Sequence, residues 1–403
     1  MKILIVNKFY YPRGGDCTAV FGLEQLLKDK GHEVAIFSMQ KSENTPSRWE
    51  KYFPKEVNFS FSFSLTSLFS SISRILSAVG RLFYSPETVR KFKRLLADFQ
   101  PDIVHLHNIH SYLSPIVAQI AHQKRIRVVW TLHDYKLICP NYTCLRNGKN
   151  CEICFHKKFN VVRHKCMKNS HIASVLAYLE ARWWNRKKLS RLTKTFITPS
   201  RFMKTKMTDA GFSAAKIEVL PNFMPGKYAC SAEKEDYYCY TGRISEEKGL
   251  DTLLEAARQL PYHLKIIGEG PMLEKYRERY MSRQIEFCGY MPQDKLYEVV
   301  QKALFLVIPS VWYENNPFSV IEALSLGTPV LGAQTGGIPE LITEGVNGYL
   351  FTPGDHVALR DTIHALFTAD KNKFDYKNIT SAAYNKFSPD TFYSKLINIY
   401  SHF

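Results

Sequence analysis

Short apolar runs separated by polar turns recur along the first half of the chain. The run Lys2–Val6 leads into a loop with Gly14 and Gly15, and residues at helical spacing follow it as far as Gly31. Further buried strands are predicted at residues 33–37, 102–106, 127–132 and 195–198, with helices between them. Strands that alternate with helices are typical of a parallel sheet covered on both faces.

A second set of short apolar runs begins near residue 237. Strands are predicted at residues 237–240, 263–267, 285–287, 305–308 and 329–331. We therefore predict an α/β fold of two Rossmann-like, doubly wound parallel sheets. The first domain would cover residues 1–222, a linker residues 223–236, and the second domain residues 237–387.

A strand-to-helix junction in the second half carries two carboxylates, Glu314 and Glu322. Pro317 is predicted to be the first helical residue, where its missing N–H costs little. The unpaired backbone N–H groups of Phe318 and Ser319 would then offer a seat for a phosphate. One carboxylate could face a sugar and the other a ribose. The alternative is that both are ordinary solvated charges.

Two cations lie in the loop that follows the first strand of the second domain. Arg243 and Lys248 stand between Gly242 and Gly249, after the strand at 237–240. Cations beside a glycine-lined turn at the carboxyl end of a strand suit a diphosphate. Together with the junction, this loop predicts a nucleotide-sugar site.

Composition and charge narrow the function further. The 403 residues are 45% hydrophobic, which favours well-formed cores, and no apolar run reaches the length of a membrane-spanning helix. The first residues predict a buried strand and not a signal peptide, so a cytoplasmic protein is expected. Residues 1–220 hold 36 Lys and Arg against 15 Asp and Glu, whereas residues 221–403 hold 18 against 22. The basic half therefore predicts a polyanionic partner.

Several motifs together resemble family 4 retaining glycosyltransferases. In the second half they are TGRISEEKGL (241–250), IIGEGP (266–271), FCGYM (287–291), the two glutamates of 314–322, and the segment 325–351. In the first half they are the Gly14-Gly15 pair, DIVHLHN (102–108) and TLHDY (131–135). The resemblance covers most of the chain. It implies a GT-B architecture with a cleft between two lobes, and a last helix, residues 388–403, that crosses back to the first lobe.

The resemblance also implies roles for single residues. Arg243 and Lys248 would hold the donor's phosphates, Glu314 would lie near the donor sugar, and Glu322 would bind the ribose hydroxyls. His133 matches the histidine of the sugar pocket, with a buried histidine at a strand end as the rival interpretation. Of these five residues, all but Glu322 form the predicted catalytic set. The predicted donor-binding set is Gly14, Gly15, Gly242, Gly268, Gly270, Tyr290, Met291, Asn316, Pro317, Phe318, Ser319 and Glu322.

Members of the family retain anomeric configuration without an obvious enzyme nucleophile, and the leaving diphosphate is thought to take the acceptor's proton. The chain has no Asp-x-Asp motif. Because Arg243 and Lys248 could replace a divalent cation, we expect catalysis to need no metal or other cofactor.

The first half also carries amphipathic, basic segments. Residues 62–83 place apolar side chains at three- and four-residue steps, which suits either a bilayer interface or the protein's own sheet. A second basic band, residues 182–206, includes Trp183 and Trp184, a residue type that favours membrane interfaces. We therefore expect a glycan or polyprenyl-diphosphate-linked acceptor, and peripheral association with the inner face of an anionic membrane, as in bacterial surface-polysaccharide assembly.

Five of the nine cysteines fall within 28 residues. Disulfides are disfavoured in a cytosolic chain, so the alternatives are a structural zinc site and a set of reduced thiols. The zinc ligands would be Cys151 and Cys154 with two of Cys139, Cys144 and Cys166.

Two other functions fit parts of the sequence. A sugar-nucleotide epimerase could share the GT-B fold, but it would not need a basic, amphipathic first lobe. A nucleic-acid-binding protein would explain the basic residues and aromatic side chains, but it leaves the glycine-rich loops and the ordered glutamates unexplained. No nucleic-acid partner is therefore expected.

Overall fold

The computed structural model describes residues 1–56, 80, 82–231, 233–369 and 373–401. These residues form two lobes, each built on a parallel sheet of six strands with helices on its faces. The N-terminal lobe contains strands β1–β8 and the C-terminal lobe contains strands β9–β14. Among the described residues, no helix is both long and apolar enough to span a membrane.

The N-terminal sheet has the strand order β2-β1-β3-β4-β7-β8, and every neighbouring pair is parallel. Its strands are β1 (Lys2–Val6), β2 (Glu33–Phe37), β3 (Ile103–Leu106), β4 (Arg127–Thr131), β7 (Thr195–Thr198) and β8 (Ile217–Val219). A separate hairpin joins β5 (Leu145–Arg146) and β6 (Lys149–Asn150). The helices are α1 (Gly15–Asp29), α2 (Pro86–Phe99), α3 (Ile116–Gln123), α4 (Asn160–Arg163), α5 (His171–Trp183), α6 (Arg186–Leu192) and α7 (Arg201–Asp209), with 3-10 turns at Glu50–Tyr52 and Ala214–Lys216.

The C-terminal sheet has the order β11-β10-β9-β12-β13-β14 and is also parallel throughout. Its strands are β9 (Tyr237–Thr241), β10 (His263–Ile267), β11 (Ile285–Gly289), β12 (Leu306–Ile308), β13 (Val330–Ala333) and β14 (Gly348–Phe351). The helices are α8 (Leu250–Ala257), α9 (Leu273–Tyr280), α10 (Gln293–Lys302), α11 (Phe318–Ser325), α12 (His356–Thr368), α13 (Tyr376–Phe387) and α14 (Pro389–Ser401), with 3-10 turns at Glu246–Lys248 and Ile338–Glu340.

Helix α2 illustrates how local sequence sets the ends of an element. The hydroxyl of Ser85 accepts a hydrogen bond from the backbone N–H of Thr88, and Pro86 occupies the first turn. Phe92 and Leu96 on its inner face are buried against the N-terminal core. The helix ends at Gln100, which adopts the left-handed conformation with φ 52°.

The predicted α/β fold with two Rossmann-like parallel sheets is confirmed. Strands 2–6, 33–37, 195–198 and 263–267 have the predicted bounds, and the other predicted strands differ by one to two residues. Strands β8 and β14 and the hairpin were not predicted. The predicted helix start was wrong by one residue, because α11 begins at Phe318 and Pro317 is its N-cap with extended ψ of 125°.

The last helix, α14, leaves the C-terminal lobe and packs on the N-terminal sheet. Leu396, Ile399 and Tyr400 are buried in one apolar cluster with Ile3 and Ile5 of β1. A salt bridge of 2.6 Å between the Lys30 ammonium and the Asp390 carboxylate fastens the start of this helix. The chain therefore passes between the lobes twice, and its last helix ties them together.

Most of the amphipathic segment 62–83 lies outside the described residues. Its end is described: Leu82 is buried, and its carbonyl accepts hydrogen bonds from Trp184 Nε1 at 2.9 Å and Ser114 Oγ at 3.2 Å. The expectation that Trp184 faces a membrane is wrong, because this side chain is only 5% exposed and belongs to the N-terminal core. Trp183, its neighbour, is 55% exposed.

Candidate active site

The carboxyl ends of β9 and β12 bring two predicted catalytic residues together. These strands are neighbours in the sheet. Strands β10 and β11 follow on one side of β9 and strands β12 to β14 on the other, so the position between β9 and β12 is the switch point of the sheet. The loop after β9 carries Lys248 and the loop after β12 carries Glu314. The Lys248 ammonium lies 2.7 Å from a Glu314 carboxylate oxygen, which also accepts a hydrogen bond of 2.6 Å from Ser310.

The electrostatics of this pair favour an ionised Glu314. Its side chain is almost fully buried, and burial alone would raise the pKa of a carboxyl group. The charge of Lys248 and the hydrogen bonds from Lys248 and Ser310 outweigh burial and hold the pKa of Glu314 below its ordinary value. The site therefore presents a cation next to a fixed negative charge.

Two glycines that were not predicted as site residues hold the Glu314 loop in place. Gly337 donates a backbone hydrogen bond of 2.7 Å to the carbonyl of Glu314. Gly336 has φ +60°, and a Cβ at this position would stand 2.1 Å from that same carbonyl oxygen. Backbone lies against backbone here, which only glycine allows. The sequence TGGIPE (335–340) contained this signal.

Replacing Gly336 with alanine should lower the free energy of unfolding by about 3 kcal/mol or more, because strain at positive φ adds to a clash with backbone. Gly354→Ala is the matched control, since Gly354 has φ +82° but nothing within 4 Å of a Cβ. That variant should lose only about 1 kcal/mol. Equal losses in urea unfolding would mean that the contact with Glu314 contributes nothing.

Gly268 and Gly270, which are predicted to lie near the nucleoside, allow the loop after β10 to pack closely on the loop after β9. A Cβ on Gly268 would stand 1.9 Å from the carbonyl oxygen of Gly242, and one on Gly270 would stand 2.2 Å from that of Ile244. Tyr290, after β11, is 72% exposed, and Met291 beside it is partly buried. Their proposed contact with a base stays a prediction.

Glu322 lies in α11 beside Tyr297. The Tyr297 hydroxyl donates to a carboxylate oxygen of Glu322 at 3.3 Å, and Tyr297 also packs edge-on against Tyr228. Burial raises the pKa of Glu322 to about 7. In Glu314 the charge of Lys248 offsets the effect of burial on the pKa. The hydrogen-bond partner of Glu322, Tyr297, is neutral and does not offset burial, so the pKa of Glu322 is raised.

Asn316 faces the connection between the lobes. Its side-chain oxygen accepts a hydrogen bond of 2.8 Å from the backbone N–H of Asn222, and its carbonyl accepts one of 2.9 Å from the Asn222 side chain. The side chain is only 6% exposed. Asn316 therefore anchors the chain where it passes from one lobe to the other, and a role in donor binding stays a prediction.

His133 follows β4 and is the outermost of three histidines. Its Nε2 lies 2.9 Å from Nδ1 of His107, and the His107 ring lies against that of His105 with centroids 4.4 Å apart. The Tyr400 hydroxyl of α14 lies 2.6 Å from His105 Nδ1. Burial lowers the pKa of His133 to about 4, so its ring is neutral at pH 7. The motif DIVHLHN contains two of these histidines, but the contacts that connect the three histidine rings and Tyr400 were not predicted.

Direct contacts bring the two lobes together at this point. Asn315 donates from Nδ2 to the carbonyl of Leu132 at 3.0 Å and accepts at Oδ1 from the Ser200 hydroxyl at 2.9 Å. Glu340 accepts backbone hydrogen bonds from Arg201 and Phe202, at 2.8 and 2.6 Å, at the start of α7. These contacts set the Glu314 loop directly beside the strand end that carries His133.

Gly15 lies at the start of α1, opposite the start of α11. A Cβ on Gly15 would stand 3.5 Å from the ring of Phe318, whereas Gly14 has open space around it. The N-termini of two helices, one from each lobe, thus face the same part of the cleft. Their unpaired N–H groups and positive dipole ends favour an anion there.

The cysteine-rich segment lies beside the cleft. Cys139, Cys144 and Cys154 are buried, and hydrogen bonds from the other two thiols lower the pKa of Cys139. Glu152 in this segment accepts a hydrogen bond of 2.8 Å from the Tyr313 hydroxyl of the other lobe. Among the described residues, no three His, Cys, Asp or Glu side chains are arranged to hold a metal ion. Zinc binding stays a prediction.

Comparisons with known proteins agree with this architecture. The model of Glycosyltransferase Family 4 matches residues 14–225, and that of Glycosyl transferases group 1 matches residues 230–385. A 42.6 kDa protein of the cps region of Klebsiella pneumoniae is 29% identical over 355 residues, 85% of this chain and 87% of that protein. The amylovoran biosynthesis glycosyltransferase AmsK of Erwinia amylovora is 31% identical over 131 residues, 29% of this chain and 32% of that one.

A solved structure extends the similarity to the fold of the whole chain. The Anabaena protein HepE, solved in complex with UDP-glucose, superposes with a TM-score of 0.67 at 20% identity over 100% of this chain and 99% of that one. Its similarity, together with the two parallel sheets, confirms the expected two-lobed architecture. Because the family model matches more than half of its length, the chain belongs to glycosyltransferase family 4 and has the GT-B fold.

Proposed function

We propose that this protein is a retaining glycosyltransferase that moves a sugar from a UDP- or GDP-sugar to a glycan acceptor carried on a polyprenyl diphosphate. The observation that carries the proposal is the ion pair of Lys248 and Glu314 at the switch point of the C-terminal sheet. The Klebsiella relative belongs to a cps region and AmsK to amylovoran synthesis, which supports a role in surface-polysaccharide assembly.

The charges of the site suit a diphosphate leaving group. Lys248 would turn from Glu314 to the donor phosphates, where Arg243 and the N-terminus of α11 add further positive potential. These fixed groups would stabilise the negative charge that grows as the bond to the sugar breaks. The leaving oxygen would then take the proton of the attacking acceptor hydroxyl on the same face of the sugar, which retains the anomeric configuration.

The two remaining catalytic candidates would act on the sugar. Glu314, ionised and buried, would lie next to the positive charge that develops at the anomeric carbon. His133, neutral at pH 7, could donate or accept one hydrogen bond with a sugar hydroxyl through Nδ1, since its Nε2 faces His107. The protein's own cations would supply the charge that a metal supplies elsewhere, so the transfer would need no divalent ion.

A thermal-shift screen tests the donor site. Purified full-length protein should be stabilised by one of UDP and GDP and by its sugars, and much less by ADP, because a ligand that binds only the folded state raises its stability. The stabilisation should persist in EDTA. A shift that needs a divalent ion would contradict metal independence, and no shift with any nucleotide would overturn the donor site.

A further inference from the structure

Helix α5 (His171–Trp183) exposes a stripe of large apolar side chains. Ile172, Val175, Leu179 and Trp183 are 67%, 38%, 44% and 55% exposed. At about 100° per residue these four positions fall within roughly 80° of one another, so they form one continuous face. We refer to these four side chains as the α5 stripe.

The other side of α5 already has its partners. Ser174 and Ala177 are buried, and the hydroxyl of Ser170 caps the start of the helix by accepting from the N–H of Ala173. The α5 stripe is therefore not the core-facing side of an amphipathic helix. A contiguous exposed apolar face rimmed by polar residues marks an interaction site.

The surroundings of the stripe are strongly basic. Residues 153–208 contain 14 Lys and Arg and a single carboxylate, Glu180. Glu180 is buried, where it pairs with the Lys136 ammonium at 2.9 Å and accepts hydrogen bonds from Ser111. Its charge is thus neutralised inside the protein. Residues 153–208 therefore contribute only positive charges to the surface around the stripe.

A basic cavity opens where α5 ends. Its volume is about 540 Å³, and its lining includes Lys158, Arg182, Arg186 and Lys187 together with the apolar side chains of Phe155 and Trp184. The cavity has the size and charge for a phosphate-bearing group.

We propose that the α5 stripe docks onto an anionic bilayer, with the basic cavity beside it holding the phosphate of a lipid headgroup. This inference rests on the proposed function, since a polyprenyl-linked acceptor lies in a membrane, and it specifies where the enzyme meets that surface. Apolar side chains that enter the interface and cations that remain at headgroup level are the two parts of such a contact. The Lys188 ammonium lies 5.1 Å from the ring centroid of the exposed Trp183 and 4.0 Å from that of the buried Trp184, so a cation stands beside the end of the stripe.

Co-sedimentation of the full chain with vesicles tests the apolar part. Wild-type protein should bind phosphatidylcholine vesicles containing phosphatidylglycerol, and Leu179→Ser with Trp183→Ser should weaken this partitioning about tenfold or more. Met281→Ser is the matched control, because Met281 is 60% exposed but lies in the C-terminal lobe. Equal binding of the double variant and the control would overturn the proposal.

A second arm tests the charged part. Arg182→Gln with Lys187→Gln should also weaken binding about tenfold or more, and vesicles of phosphatidylcholine alone should bind poorly, since each basic side chain near an anionic surface contributes about 1 kcal/mol. Equal binding to both kinds of vesicle would overturn the role of charge. Inorganic phosphate at millimolar concentration should not release the protein, and full release would assign the cavity to a soluble phosphate instead.

Two further measurements distinguish membrane docking from self-association and from donor binding. If the stripe instead joined two copies of the chain, the double variant would change the mass seen by light scattering and leave vesicle binding intact, which would overturn the proposal. The nucleotide-induced thermal shift is measured without vesicles. A protein that keeps this shift but ignores vesicles would refute the docking surface and leave the donor site standing.

Discussion

Lys248→Ala should lower kcat/KM for sugar transfer by about 10²–10³-fold, the usual cost of removing one charged group that stabilises a developing oxyanion. Lys248 is the cation nearest Glu314 at the switch point, with the two charged groups 2.7 Å apart. Its loss removes positive charge from the leaving diphosphate. It also leaves Glu314 buried without its counter-ion, which raises the pKa of that carboxyl group.

Lys275→Ala is the matched control for this measurement. Lys275 is an exposed lysine of α9 in the same lobe, and its replacement should change the rate by less than about threefold. Circular dichroism and melting temperature show whether the Lys248 variant remains folded. A folded Lys248→Ala enzyme with nearly wild-type kcat/KM would remove Lys248 from the catalytic set.

Glu322→Ala should weaken nucleotide binding by about 30-fold or more, because two hydrogen bonds from ribose hydroxyls to a charged acceptor would be lost. Isothermal titration with the nucleotide that stabilises the protein gives the affinity directly. Glu278→Ala, an exposed glutamate of the same lobe, should bind like wild type. Unchanged affinity in Glu322→Ala would place the ribose elsewhere.

The affinity should also depend on pH in a way that identifies Glu322. Burial raises the pKa of this acid, so the empty folded protein holds the proton until about pH 7. The protonated form accepts ribose hydrogen bonds poorly, and nucleotide affinity should therefore fall about tenfold between pH 8 and pH 6. Glu322→Gln should bind weakly at both pH values and lose this dependence. A wild-type protein with flat affinity across this range would contradict the assignment.

The sheets could be predicted because most of their strands are short, nearly continuous apolar runs. Ile3, Leu4, Ile5 and Val6 of β1 are all fully buried, as expected for a strand covered on both faces. Strand β8 has only three residues with an exposed glutamate in the middle, so no run of this kind marked it. Strand β14 begins at Gly348, whose turn-like character concealed the strand.

The meeting of Lys248 and Glu314 could be predicted in outline, since both residues follow strands of one parallel sheet. The motifs assigned both residues to one donor site, whereas the pairing of β9 with β12, which makes their loops adjacent, was not predicted. The clamp of Glu340 on the start of α7 could not be predicted. Glu340 is separated along the chain from Arg201 by 139 positions and from Phe202 by 138 positions. The local sequence around either partner contains no signal of the other.

The exposure of Trp183 and Trp184 could not be predicted from residue type alone. Trp183 and Trp184 are adjacent and equal as residue types, yet one is 55% and the other 5% exposed. Which of them faces the core depends on where α5 ends, and a helix end cannot be placed within one residue from sequence. In the structure Trp184 packs in the N-terminal core and donates a hydrogen bond of 2.9 Å to the carbonyl of Leu82.

The path of α14 has a consequence for biosynthesis. Tyr400 and Leu396 complete the apolar cluster around β1, although the rest of that lobe is finished by residue 220. At about 5–20 residues per second, roughly 9–35 s pass between these two points of translation. During that interval the nascent first lobe carries an uncovered apolar groove where α14 will lie. Exposed apolar surface of this kind promotes aggregation, so the growing chain carries a risk that the finished protein does not.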